Sequence, residues 1–109
     1  NPVPGARRSR GTKPGHRGVD LAAPAGTPIH AAAAGTAIIA RNGYNGGFGN
    51  YVVLQHSNGT KTLYAHMSKL AASPGERVSQ GEVIGYVGNT GHSFGNHLHI
   101  EVLGGKNPF

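Results

Sequence analysis

Cysteine is missing from all 109 residues. That excludes a disulfide framework and a thiolate metal site, so any transition-metal centre here must be built from imidazole and carboxylate. Tryptophan is missing too, and four tyrosines and three phenylalanines are the only aromatics. Acidic residues number four against ten Lys and Arg, giving a net charge of +6. The nearest approach to a long apolar run, Ile29 to Ala40, is broken by His30, Gly35 and Thr36 and is too short for a membrane span. No basic segment followed by an apolar stretch opens the chain, so no signal peptide is expected. The start at Asn1 rather than Met reads as a processed or excised fragment.

These shortages narrow the classes. Hydrophobic residues at 37% and charged residues at 13% suit a globular chain rather than a disordered or bilayer-spanning one. Residues 1–109 read as a single domain, with 1–14 a basic leading segment rich in Gly, Pro and Arg; a monomer is the default expectation. The positive charge attracts polyanions, and nucleic acid and anionic cell-wall polymers both have the matching sign. Arg7, Arg8, Arg10, Lys13 and Arg17 crowd the leading residues. Nucleic-acid readers combine such charge with stacking aromatics or a recognition helix, and neither pattern is present. The basic run therefore reads as a solvated face or arm, or as a contact to a wall polyanion; nucleic acid is not an expected partner.

What the sequence has in quantity is glycine, 19 residues, with seven prolines. They leave only short β-branched or alternating runs between turn signals, which predicts a mostly β fold, a small antiparallel sheet. Expected strands are Ile29–Ala33, Gly35–Ala40, Asn50–His56, Lys61–His66, Glu82–Val87 and His97–Leu103. Asn58-Gly59, a pair that tolerates positive φ at both turn positions, predicts a hairpin joining Tyr51–His56 to Lys61–His66. The glycine-rich segment 42–50 reads as a loop that presents Tyr44 and Phe48, either lining a groove or merely connecting strands. The one helical possibility, Met67 to Ala72 after His66, is at most a turn or two.

Histidine is the other abundant residue, with seven copies. In His97-Leu98-His99-Ile100-Glu101-Val102 the alternation places His97, His99 and Glu101 on one strand face and the apolar residues on the other. One of two such imidazoles can bind a metal while its neighbour reaches a water or substrate atom there. His16-Arg17-Gly18-Val19-Asp20 offers an imidazole and a carboxylate, and Gly18 lets the backbone fold so that both face one centre. With one imidazole from the later strand this makes a two-histidine, one-carboxylate set. Such a set suits zinc and leaves a fourth position open, as hydrolytic sites require. His30, His56 and His92 have no second ligand at matching spacing and read as structural or surface residues.

The two clusters, together with Tyr64-Ala65-His66, resemble the His-x-Gly-x-Asp, His-x-His and Tyr-Ala-His motifs of the LytM/lysostaphin-type zinc peptidases, the M23 family. Gly49-Asn50-Tyr51-Val52-Val53 and Gly88-Asn89-Thr90-Gly91 match as well, and the likeness runs from about Gly15 to Pro108. The resemblance implies a largely antiparallel sheet with a loop-walled groove and one zinc ion held by His16, Asp20 and His99. It implies that His66 and His97 stand beside the metal as catalytic residues. The activity implied is hydrolysis of peptide bonds in bacterial peptidoglycan stems or cross-bridges by a secreted or cell-envelope endopeptidase. Members of the family cut either glycyl-glycine bridges or D-alanyl cross-links; other relatives have lost ligands and serve as silent wall-binding activators. Tyr44, Asn50 and His92 are candidate substrate contacts, and Glu101 is a candidate orienter of an imidazole. Where many members have Ser-Thr-Gly-Pro, this chain has Ser93-Phe94-Gly95-Asn96, which alters the groove wall beside the metal.

Overall fold

The computed structural model describes residues 7–10, 18–91 and 95–103. Among them are nine strands: β1 Arg7–Arg10, β2 Gly18–Ala22, β3 Pro28–His30, β4 Gly35–Arg41, β5 Asn50–Gln55, β6 Lys61–Leu70, β7 Arg77–Val78, β8 Val83–Val87 and β9 His97–Leu103. A three-residue 3-10 turn, Asn45–Gly47, is the sole helical element among the described residues. No helix there is long and apolar enough to cross a membrane. The strands form one antiparallel sheet in the order β1-β2-β9-β6-β5-β4-β7, with β8 pairing the end of β6 and carrying β3. The mostly β, antiparallel expectation is met, and the six expected strands appear, five with shifted ends and β9 with the expected bounds.

The short helical turn that the sequence allowed after His66 does not form. β6 continues as strand to Leu70, where Met67, Lys69 and Leu70 pair with Val87, Tyr86 and Gly85 of β8. The long strand exchanges partners along its length, β5 and β9 first and β8 afterwards, and tertiary pairing overrides the local pattern. The sequence also gave no sign of β2. Gly18 does not fold the chain back; it sits in extended backbone opposite Glu101.

The hairpin forms, with a different turn. His56 and Thr60 close a three-residue loop, the His56 N–H donating to the Thr60 carbonyl at 2.9 Å. Of the Asn58-Gly59 pair, Gly59 alone takes positive φ, 87°. Asn58 instead uses its side-chain oxygen to accept from the N–H and hydroxyl of Thr60, the local bonding that suits Asn to turns.

Apolar residues occupy both faces of the sheet. Val52, Leu54, Tyr64, Met67, Leu98 and Ile100 bury one face, with Val19 and Leu21 of β2 packed against them. The other face carries a smaller cluster of Tyr51, Val53, Leu63 and Ala65. By alternation this second face also holds Asp20 on β2 and His97, His99 and Glu101 on β9.

Candidate active site

Register brings the site together. In the β2–β9 ladder Asp20 lies directly opposite His99 and Ala22 opposite His97; on the other side of β9, Ala65 of β6 faces His99. His99 is thus flanked by a carboxylate and by a methyl group small enough to leave it room. Asp20 Oδ1 is 2.7 Å from His99 Nδ1 and 3.5 Å from His97 Nε2. Glu101 Oε1 is 3.6 Å from the far nitrogen of His99, Nε2.

His66 reaches this face by a break in the pattern. Strict alternation from Tyr64 would turn it toward the main core. A bulge intervenes: Val52 opposes Tyr64 and Asn50 opposes Met67, so Ala65 and His66 together face Tyr51 alone. His66 takes the left-handed φ of 63°, and its N–H donates to the Phe48 carbonyl at 2.8 Å. The extra residue re-aims the side chain. The His66 ring lies 4.9 Å from that of His97 and 6.0 Å from that of His99 between centroids. It is buried, 7% exposed. Loss of water around it is the chief reason its pKa falls below the ordinary imidazole range, with nearby His97 and His99 adding to the effect against the bond to Thr90 and the Asp20 charge. A neutral ring at physiological pH follows.

The three imidazoles are presented in two ways. His66 Nδ1 lies 2.7 Å from the Thr90 carbonyl and His97 Nδ1 lies 2.8 Å from the Gly95 carbonyl. A carbonyl only accepts, so in both rings Nδ1 carries a proton; in neutral His66 this leaves the lone pair on Nε2, whereas Nε2 of His97 faces Asp20 Oδ1 at 3.5 Å. His99 is reversed, with Nδ1 on Asp20 and Nε2 toward Glu101. Two rings are therefore held through Nδ1, and one turns Nδ1 to a carboxylate.

Asp20 and His99 are an oxygen and a nitrogen donor of the kinds zinc takes, and their facing atoms converge on one point. Glu101 stands where a carboxylate orients a metal-binding imidazole. The donor set fits a zinc ion completed by one further ligand. His16, expected in that role, lies outside the described residues, among which no group of three His, Asp or Glu side chains is arranged to hold a metal ion. His92, a candidate substrate contact, also lies outside them.

The remaining candidates fall elsewhere. Tyr44 is 63% exposed beside the 3-10 turn. Asn50 has its amide engaged in holding loops, accepting from the Gly43 N–H at 2.9 Å and donating to the Met67 carbonyl at 2.9 Å. His30 bonds the Gly81 carbonyl through Nδ1. His56 is buried, with Nδ1 on the Ala34 carbonyl and Nε2 on the Thr62 hydroxyl, which continues to the Tyr64 hydroxyl. Both are structural histidines. Sequence reading passed over Thr90, whose carbonyl fixes His66; its place in the Gly88-Asn89-Thr90-Gly91 run was the available signal.

Fold and site together define a small antiparallel β domain with a histidine-aspartate cluster of hydrolytic type on one sheet face. The sequence model of Peptidase family M23 matches residues 14–109, and the chain belongs to that family. It is 52% identical over 86 residues, 79% of its length, to the DD-carboxypeptidase/endopeptidase Mpg of Neisseria meningitidis, covering 19% of that protein. To the peptidoglycan DD-endopeptidase ShyC of Vibrio cholerae it is 48% identical over 88 residues, 81% of this chain and 20% of that one. The fold superposes on a zinc-containing peptidase from Vibrio cholerae with a TM-score of 0.75 and 35% identity, over 91% of this chain and 32% of that one. The chain spans about a fifth of the length of the curated relatives it matches.

Proposed function

We propose that the chain is a zinc-dependent endopeptidase that hydrolyses peptidoglycan cross-links in which D-alanine supplies the scissile carbonyl. The observation that carries this reading is the convergence of Asp20 Oδ1 and His99 Nδ1 at 2.7 Å beside two imidazoles that present Nε2. The DD-endopeptidase names of its relatives favour the D-alanyl bond over a glycyl-glycine bridge. Its substrate lies outside the cytoplasm, so the proposed location is the cell envelope or the medium.

His16, Asp20 and His99 would hold the metal. When bound, zinc supplies Lewis acidity, which polarises a scissile carbonyl and eases deprotonation of water. His66 and His97 do the proton chemistry. One Nε2 takes the proton of the attacking water and returns it to the leaving amine; the other, once protonated, donates a hydrogen bond to the oxyanion. Their Nδ1 protons stay pinned on Thr90 and Gly95, so each ring exchanges protons at Nε2 alone. Burial of Asp20 and His66 strengthens these electrostatic contacts by thinning the water around them.

The test is mass spectrometry of fragments released from directly cross-linked and from glycyl-bridged peptidoglycan, with and without a zinc chelator. The expected result is chelator-sensitive release of D-alanyl-ended fragments from the directly cross-linked wall. Zinc bound with neither wall cut would leave a wall-binding module in its place.

A further inference from the structure

His66 is held in a backbone conformation that a residue with a Cβ disfavours, φ 63°. Two loops keep it there: the Phe48 carbonyl on its N–H and the Thr90 carbonyl on its Nδ1. The second of these selects the tautomer. Among the described residues no hydrogen-bond partner meets Nε2 of His66, so the single bond to Thr90 decides which nitrogen is offered to the site.

The Thr90 carbonyl is in turn placed by its own side chain. Thr90 Oγ1 donates to the Met67 carbonyl at 2.7 Å and accepts from the Asn50 N–H at 3.1 Å. The hydroxyl therefore ties the 88–91 loop to Asn50 and Met67, the β5–β6 pair that closes one end of the bulge. Packing around it is close: a Cβ on Gly49 would collide with the Thr90 hydroxyl, and one on Gly91 with the Gly49 N–H, both glycines at positive φ, 66° and 74°. Removing the hydroxyl leaves the strands their own pairing, and the Met67 carbonyl keeps its bond from Asn50 Nδ2.

We propose that Thr90 is a positioning residue: its hydroxyl, clamped between the Met67 carbonyl and the Asn50 amide, fixes the carbonyl that holds His66 as the Nδ1–H tautomer and aims its Nε2 lone pair at the Asp20–His99 cluster. The kinetic part of this rests on the peptidase reading above; the structural part does not.

The experiment is long-range proton–nitrogen NMR on the chain labelled with 15N-histidine, at a pH where the rings are neutral, for wild type, Thr90→Val and Thr90→Ser. The wild type is expected to show His66 as one Nδ1–H tautomer. Thr90→Val is expected to show averaged tautomers and faster exchange of that proton, and Thr90→Ser to restore the wild-type spectrum. On directly cross-linked peptidoglycan fragments, kcat in Thr90→Val should fall about tenfold with KM unchanged, the scale of loss expected when a reacting group is displaced by a fraction of an ångström. Thr90→Ser should recover it. An Nε2–H tautomer in the wild type, or a Thr90→Val spectrum identical to it, overturns the proposal. Should Thr90→Val not fold, Thr90→Ala lacks the same hydroxyl and is read the same way. A chain that cuts no wall but whose His66 tautomer follows Thr90 would refute the peptidase reading and leave this one standing.

Discussion

Three imidazoles within one cluster are told apart by which nitrogen a neighbour holds. His66 and His97 are pinned at Nδ1 by backbone carbonyls, whereas His99 turns Nδ1 to Asp20. His66→Asn tolerates the left-handed backbone and cannot shuttle a proton, so its kcat should drop by about 10²–10⁴ while bound zinc, measured by elemental analysis, stays near one per chain. Asp20→Asn should instead lose the metal together with the activity. Glu101→Gln, beyond the donor atoms, should weaken zinc affinity by about 10- to 100-fold, read by competition with a fluorescent chelator. At this scale much was legible. The alternation of His97, His99 and Glu101 was plain in the sequence, because a strand's period of two needs no tertiary information. That Thr90 matters was not, because its contribution is a backbone carbonyl, which every residue possesses.

Among the elements, β6 carries the largest departure from local expectation. Its bulge admits His66 to the site face, and its second half pairs with β8 in place of the short helical turn the sequence allowed. The bulge requires a left-handed residue, a state that costs a side chain with a Cβ about 1–2 kcal/mol relative to glycine. His66→Gly should therefore be more stable than His66→Ala by about 1 kcal/mol, measured by urea unfolding. Neither the bulge nor the extension can be read locally. Each exists because a neighbouring strand, β5 or β8, supplies the hydrogen bonds. The turn at Asn58-Gly59 shows the opposite case: residue chemistry located the hairpin, and the strand ends chose the loop length.

For the whole molecule, the core and the charge make separable demands. Leu98, fully buried between the site-face residues His97 and His99 in sequence and facing the opposite side, anchors β9; Leu98→Ala should cost about 2–5 kcal/mol in thermal or denaturant unfolding. The net charge of +6 is expected to retain the chain on walls rich in anionic polymers. Retention should weaken as salt rises toward 0.5 M, about where screening confines such attraction to a few ångströms, while turnover of a small uncharged peptide changes little.

The sequence alone determined the β class and the face shared by His97, His99 and Glu101, and its short motifs named candidate zinc ligands through a family resemblance; composition, a two-residue period and short motifs are local properties. Tertiary structure decided that Asp20 sits on a strand opposite His99, that a bulge turns His66 out of the core, and that Thr90 selects its tautomer. Each of these depends on pairing between residues far apart in the chain, which no local pattern encodes.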